Sequence, residues 1–293
     1  MKKPVILCAL LALILSPSSP YAQDEETYLI IRADDIGSSH SANLACIKSY
    51  REGIARSVEV MPTCSWFPEA AKMLRENPGY DVGVHLTMTS EWDNVKWGPL
   101  TAAPSLVDEN GYFFPKSRTA EGSTERTGFW DESASLEEVE AEVRAQIELA
   151  VNNIPQVSHV SDHMGWSRAD PRLSEIVTRV AEEYELNIDL PALGVKGARW
   201  GATSSDDAET RIDKLVNMLN GLEPGLYLLI EHPGLNTPEM EGHGHGHEGY
   251  RNVHTHRDSV TEAFCSPRVK ESIKAKGIRL VSYQEAWKTL KQD

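Results

Sequence analysis

From residue 28 onward, short apolar runs alternate with longer stretches of helical periodicity. Tyr28 to Asp35 reads as a strand ending in two carboxylates, and about Ser41 to Glu52 as a helix. Val58 to Thr63 predicts a second strand, Phe67 to Glu76 a second helix and Val82 to Met88 a third strand. Leu136 to Asn152 is helical, with Glu137 and Glu138 suited to the positive end of a helix dipole. Val157 to His163 is a fourth strand, and Pro171 to Glu185 a helix with Asp170 as its cap and Pro171 at its first position. Leu186 to Leu190 reads as a short strand, Asp206 to Leu222 as a helix and Leu226 to Glu231 as an apolar strand. Pro267 to Lys276 is a helix stopped by Gly277, and Ile278 to Tyr283 a last strand before a terminal helix.

Seven strand-then-helix units with apolar strands predict an α/β fold, a parallel sheet covered by helices. That number fits a distorted or incomplete (β/α) barrel with about seven parallel strands better than an open doubly wound sheet. In both, chemistry gathers at the C-terminal ends of the strands. Two long connections interrupt the rhythm. Residues 90–134 hold Trp92, Trp97, Tyr112, Phe113, Phe114, Phe129 and Trp130, and residues 235–256 hold His243, His245 and His247 spaced by glycine. Loops beyond about 12–15 residues are usually functional or disordered.

The first 22 residues follow a different pattern. Lys2 and Lys3 precede an apolar run from Val5 to Leu15, then small and turn-forming residues, then acidic Asp24-Glu25-Glu26. This is the layout of a secretory signal peptide, and the run is shorter than the ~20 residues that span a bilayer. Residues 1–22 are therefore expected to be a leader and residues 23–293 a single barrel domain of an exported protein, periplasmic or secreted. Of four cysteines, Cys8 falls in the leader; Cys46, Cys64 and Cys265 show no paired spacing and read as buried thiols. With 29 basic against 44 acidic residues the formal charge is −15, which argues against nucleic acid and anionic membrane surfaces as partners.

Each long strand ends in a side chain that binds metal or moves protons: Asp34-Asp35, His85, Asp162-His163 and Glu231-His232. A charged pair closing the run Leu29-Ile30-Ile31 is costly unless paired or bound to a cation. Two imidazoles and a carboxylate are a ligand set for catalytic zinc and related ions, which acidify water and polarise carbonyls. Adjacent residues of a regular strand face opposite ways, so Asp34 and Asp35 are expected to approach from different angles, one as ligand and one as general base. His232 titrates in the range of a proton donor to a leaving group. Metal, base and acid together describe hydrolysis of an amide or ester.

At these residues the chain resembles the YdjC/ChbG/HpnK carbohydrate deacetylases, relatives of the polysaccharide deacetylases. The resemblance is carried by Ala33-Asp34-Asp35-Ile36-Gly37, Gly83-Val84-His85-Leu86-Thr87, Asp162-His163 and His232-Pro233-Gly234, and covers about residues 28–285. It implies a distorted (β/α) barrel, a divalent metal held by Asp35, His85 and His163, Asp34 as catalytic base and His232 as catalytic acid. No other cofactor is implied. Magnesium is the metal usually assigned to the family, whereas the Asp/His/His set favours zinc. Family members often carry Asp-x-His-x-His at the third motif; here Asp162 abuts His163 and Gly165 stands at the later histidine.

The implied activity is removal of acetyl from an N-acetylated sugar or oligosaccharide by metal-activated water. Trp92 and Trp97 are either stacking faces for that glycan or a seal on the barrel mouth. The His243/His245/His247 tract reads as a solvated loop, with a second metal site as the alternative. Two other readings of the chain stand beside the deacetylase: an ester or phosphoester metallohydrolase, for which only Arg32 and Arg168 lie near the motifs, and a non-catalytic periplasmic glycan or metal binder, which has no use for a spare base beside a ligand.

Overall fold

Leu29, Ile30 and Ile31 are fully shielded from solvent because β1 (Thr27–Ile36) runs through the middle of a parallel sheet with helices on its faces. Burying each such side chain stabilises the fold by about 1.5–3 kcal/mol. The structure, a computed structural model, describes residues 26–245 and 250–291. The expected leader at residues 1–22 and His247 lie outside the described residues.

The chain continues through α1 (His40–Arg51), β2 (Ser57–Val60), α2 (Phe67–Arg75), β3 (Asp81–Leu86), α3 (Leu136–Asn153), β4 (Val157–Asp162) and α4 (Pro171–Glu183). It then forms β5 (Lys196–Gly197), α5 (Ala208–Asn220), β6 (Gly225–Glu231), α6 (Pro238–Glu241), α7 (Val253–Cys265), α8 (Pro267–Lys276), β7 (Arg279–Leu280) and α9 (Tyr283–Leu290). The strand order is β4-β3-β2-β1-β6-β5, all parallel. β6 follows β1 along one edge from Thr27 to Ala33, while β7 and then β2 share its other edge. β4 and β5 end the order without meeting, so the sheet curls into an incomplete barrel, as the alternation of elements predicts. The helices start and stop where their caps dictate. Ser39 accepts from the Ala42 amide, Asp170 caps α4 ahead of Pro171, and Gly277 ends α8 with φ 66°.

Two elements differ from expectation. Leu186 to Leu190 is not a strand: Glu185 turns at φ 58°, Pro191 opens a short 3₁₀ turn, and both leucines are buried without joining the ladder. The strand at that place is β5, two exposed residues with no apolar signal. And the segment after the His tract is not loop throughout, because Val253, Arg257, Val260 and Phe264 form the buried stripe of α7. Cys46 and Cys64 are buried thiols as expected; Cys265 is partly exposed.

Inside the sheet lies a polar knot. Glu59, in the middle of β2, is 0% exposed; His159 Nε2 meets its Oε1 at 2.8 Å, and Ser161 donates to its Oε2. Gly83 on β3 makes room for it, since a Cβ there would sit 2.3 Å and 2.6 Å from the two Glu59 oxygens and 2.6 Å from His159 Nε2. Gly83→Ala is accordingly expected to destabilise the protein by about 1–3 kcal/mol or more, read by urea denaturation, because the groups it would displace are buried and hydrogen-bonded.

Candidate metal and catalytic site

The ladder between β1 and β2 slips by one residue between Ala33 and Ile36, with Asp35 at φ 73°. This bulge abolishes the regular alternation exactly where Asp34 and Asp35 stand. The two carboxylates therefore do not face opposite ways: Asp34 Oδ2 and Asp35 Oδ1 lie 3.7 Å and 3.6 Å from the same His85 Nε2. The geometry expected from an unbroken strand is corrected here. What separates the two aspartates is their partners. Arg32 grips Asp34 with two parallel bonds of 2.7 Å, and Arg257 Nη2 donates to Asp35 Oδ2 at 2.7 Å.

Asp35, His85 and His163 converge at the C-terminal ends of β1, β3 and β4. One potential ligand atom from each lies within 4.8 Å of the others, and all three side chains are buried. Among the described residues this is the one such group. His163 Nδ1 lies 3.5 Å from Asp35 Oδ1, and both atoms are buried without a hydrogen-bond partner. Orphaned buried atoms of this kind are what a cation would satisfy. The imidazoles are also aimed from behind: His85 Nδ1 meets Ser161 Oγ at 2.8 Å, and His163 Nε2 meets Glu91 Oε2 at 2.9 Å. A partner on the far nitrogen fixes the ring and leaves the near nitrogen to the metal.

The local field points the same way. Asp34, Asp35, Glu59 and Glu91 are all buried, against two buried guanidiniums, Arg32 and Arg257. Burial opposes charge on His163, yet the Glu91 and Asp35 carboxylates push its pKa up to about 10. His85 is pulled down to about 3 by burial and by His163. Positive charge is drawn to the point between the carboxylates, and the donor set fits a divalent ion.

Asp34, Asp35, His85, His163 and His232 all line one cleft of about 490 Å³, with Trp92, Tyr250 and His256 among the other walls. Asp162 also faces it and accepts from Ser167, outside the ligand group. Trp97 does not line it; its Nε1 donates to the Thr89 carbonyl and its ring lies edge-on to His163, 6.0 Å between centroids. The solvated loop expected for the His tract is corrected as well. His243 is 2% exposed, and His245 stacks on Trp92 at 5.2 Å and forms a bridge with Tyr250.

Three residues of the site escaped the sequence. Glu59 could have been suspected as a charge inside an apolar strand. Arg257 could have been found from the helical stripe of α7. Glu91, in an irregular loop, carries no such signal.

A family profile described as "YdjC-like protein" matches residues 28–275. The chain belongs to that family. A carbohydrate deacetylase of Thermus thermophilus is 32% identical over 72% of this chain and 79% of its own length. One from Enterococcus faecalis is 26% identical over 87% of this chain and 97% of its own. A crystal structure from Enterococcus faecalis, described as a proposed cellobiose-phosphate cleavage protein, superposes with a TM-score of 0.70 at 25% identity, covering 89% of this chain and 98% of that one.

Two outcomes follow from the geometry. In calorimetric titrations with Mg²⁺ and Zn²⁺, Asp35→Asn and His163→Ala are expected to weaken binding at least ~100-fold, and Ser161→Ala ~10-fold through the loosened His85 ring. The second concerns pH. Burial opposes both charges, but the His159 and Arg32 charges hold Glu59 well below its ordinary 4.5, and Glu59 holds His159 above its ordinary 6.5. The depressed carboxylate stabilises the fold above about pH 4.5 and loses that effect as acid protonates it; the raised imidazole stabilises below about pH 6.5 and loses it as pH climbs through its folded value. The stability gap between wild type and His159→Gln, measured by urea denaturation, should thus be widest between about pH 4.5 and 6.5.

Proposed function

We propose that this protein is an exported, metal-dependent hydrolase that removes acetyl from an N-acetylated sugar or oligosaccharide. Export rests on the leader-like first 22 residues. The substrate class rests on family membership and on the carbohydrate deacetylases among its relatives. The observation that carries the chemistry is the pair of adjacent aspartates brought to one imidazole with different partners, so that one is free to act as a base beside the ligand group.

Asp35, His85 and His163 would hold the ion. Bound there, it would polarise the acetamide carbonyl and acidify the attacking water. Asp34 takes the proton from that water. Burial raises its pKa despite the Arg32 bond, which makes it a better acceptor than an exposed aspartate. Arg32 fixes the carboxylate's orientation and is itself held by Tyr283 at 3.0 Å. His232 delivers a proton to the departing nitrogen; burial holds its pKa below the ordinary imidazole value, so its conjugate acid gives the proton up readily. Trp92 offers an apolar wall on which a sugar face can pack.

The test is acetate release from a panel of N-acetylated oligosaccharides, with chelator and with single metals restored. Activity is expected with at least one member, lost to chelator and recovered on metal addition. Asp34→Asn should lower kcat by ~10²–10⁴ while calorimetry still shows a bound ion. Retained turnover in Asp34→Asn would remove the base from the scheme.

A further inference from the structure

The turn that follows His163 carries a cation for which the scheme above has no use. Met164 and Gly165 are consecutive left-handed residues, with φ 55° and 62°, a conformation that a residue with a β-carbon disfavours. The segment keeps it because both flanks are fastened. Trp166, fully buried, donates from Nε1 to the Leu86 carbonyl at 2.8 Å. Ser167 donates to Asp162, and the Ser167 carbonyl accepts from Ser174 at 3.0 Å. The Ala169 carbonyl accepts from Arg118 Nε at 3.0 Å. Between these anchors stands Arg168, exposed and on the wall of the cleft.

Gly165 decides where the head of Arg168 lies. A Cβ there would come 2.9 Å from Arg168 Nη2 and 3.1 Å from Cζ and Nε, so the guanidinium rests over a backbone with no side chain to hold it off. Three arginines line the cleft. Arg32 is bonded to Asp34 and Arg257 to Asp35, whereas Arg168, among the described residues, is bonded to no carboxylate and no carbonyl. Asp162 feels its charge but takes its hydrogen bond from Ser167. The backbone of Arg168 is thus pinned and its head supported, while all its donors stay open. Met164, on the same wall, leaves 53% of its surface to solvent.

Resting on the deacetylase reading, we infer that Arg168 selects the substrate and that the N-acetylated sugar it selects carries a carboxylate. That group sits on the sugar itself, as in a uronic acid, or on an ether arm, as in a lactyl ether. No donor of the guanidinium is committed, so either of its two-donor edges can meet both oxygens of a carboxylate in parallel. Charge narrows the class. Asp34, Asp35, Glu91 and Asp162 already line the cleft, and one unmatched guanidinium balances one negative charge. A phosphate monoester, with a charge of about −1.5 to −2, would bring more negative charge to those four acids than that one cation offsets. Arg168 follows His163 on a single fastened turn, so the carboxylate anchor and the ligand group hold a fixed relation. Met164 adds apolar surface for the C–H groups of the ring or arm.

The experiment uses N-acetylated disaccharides of one skeleton: a neutral parent, a uronic acid, a lactyl ether and a phosphate monoester. Acetate release gives kcat/KM for metal-loaded wild type and Arg168→Gln, with folding checked by circular dichroism. Wild type should favour at least one carboxylated compound over the neutral parent ~10-fold or more, through KM, and Arg168→Gln should bring that ratio to within about twofold of unity. Raising NaCl from about 0.05 to 0.5 M should shrink the wild-type ratio and leave the variant's where it is. Arg168→Lys, a charge without the fork, should recover part of the preference. Gly165→Ala, which pushes the guanidinium from its seat, is the second variant and should lower the ratio as Arg168→Gln does. A ratio that Arg168→Gln leaves unchanged overturns the subsite, and so does an equal or greater preference for the phosphorylated compound. Acetate released from neutral and carboxylated compounds alike discards the subsite and leaves the deacetylase reading standing. No acetate from any of the four sinks that reading instead. Calorimetric titration of the same compounds into metal-loaded protein then decides the subsite, which stands if a carboxylated compound binds ~10-fold tighter than the parent and Arg168→Gln removes the difference.

Discussion

Burying carboxylates at the end of a parallel sheet requires compensating positive charge, and that requirement organises this protein. Four of the buried acids gather here, Asp34 and Asp35 at the end of β1, Glu59 inside β2 and Glu91 in the loop after β3, each with a specific cationic or hydrogen-bonding partner. None could be buried alone, because an unpaired carboxylate in this environment would take up a proton rather than stay charged. Arg32, His159 and Arg257 come from three different elements, so the ion pairs also tie β1, β4 and α7 together. Where the protein's own cations stop short, at Asp35 Oδ1 and His163 Nδ1, the place left over has the shape and charge for a metal.

Glu59 connects the two halves of this arrangement. Through Ser161 it steadies His85, and it lies 3.9 Å from Arg32, which steers Asp34. One buried glutamate thereby supports both an imidazole of the Asp35/His85/His163 group and the arginine that holds Asp34. This explains why a small residue is demanded at Gly83, two positions before His85: the motif needs space behind the histidine as much as it needs the histidine. The glycine after His232-Pro233 answers a similar demand, admitting the stem of Arg257.

Much of this was legible in the chain. Apolar runs ending in Asp, His and Glu announced both a parallel sheet and the edge that carries chemistry, because buried strands tolerate polar residues best where they emerge. Asp34, Asp35, His85, His163 and His232 could be named from those positions, and they do share one cleft. The failures have physical causes. β5 is two exposed residues, Lys196 and Gly197, paired with β6, so no apolar side-chain pattern marks it. The bulge at Asp34–Asp35 is a backbone event, and two-residue periodicity is blind to it. Arg257 reaches Asp35 across 222 positions of sequence, a contact set by how α7 packs rather than by any local spacing.

The adjacent aspartates show how one motif yields two electrostatic settings. Both are buried to 2% exposure, so desolvation raises both alike. For Asp34 that effect prevails over Arg32 and His232, and its affinity for a proton rises. For Asp35 the charges of Arg257, His232 and His163 prevail, and its carboxyl stays ionised well below the usual range. A carboxylate held ionised suits metal binding; one whose proton affinity is raised suits general base catalysis. The bulge brings the pair to the same imidazole, and the balance of burial against positive charge, tipped toward burial at Asp34 and toward charge at Asp35, then sets their proton affinities apart. Asp-Asp in this chain is therefore not a redundant pair of acids: neighbouring positions, identical side chains and nearly equal burial produce carboxyls whose proton affinities shift in opposite directions through what surrounds each oxygen.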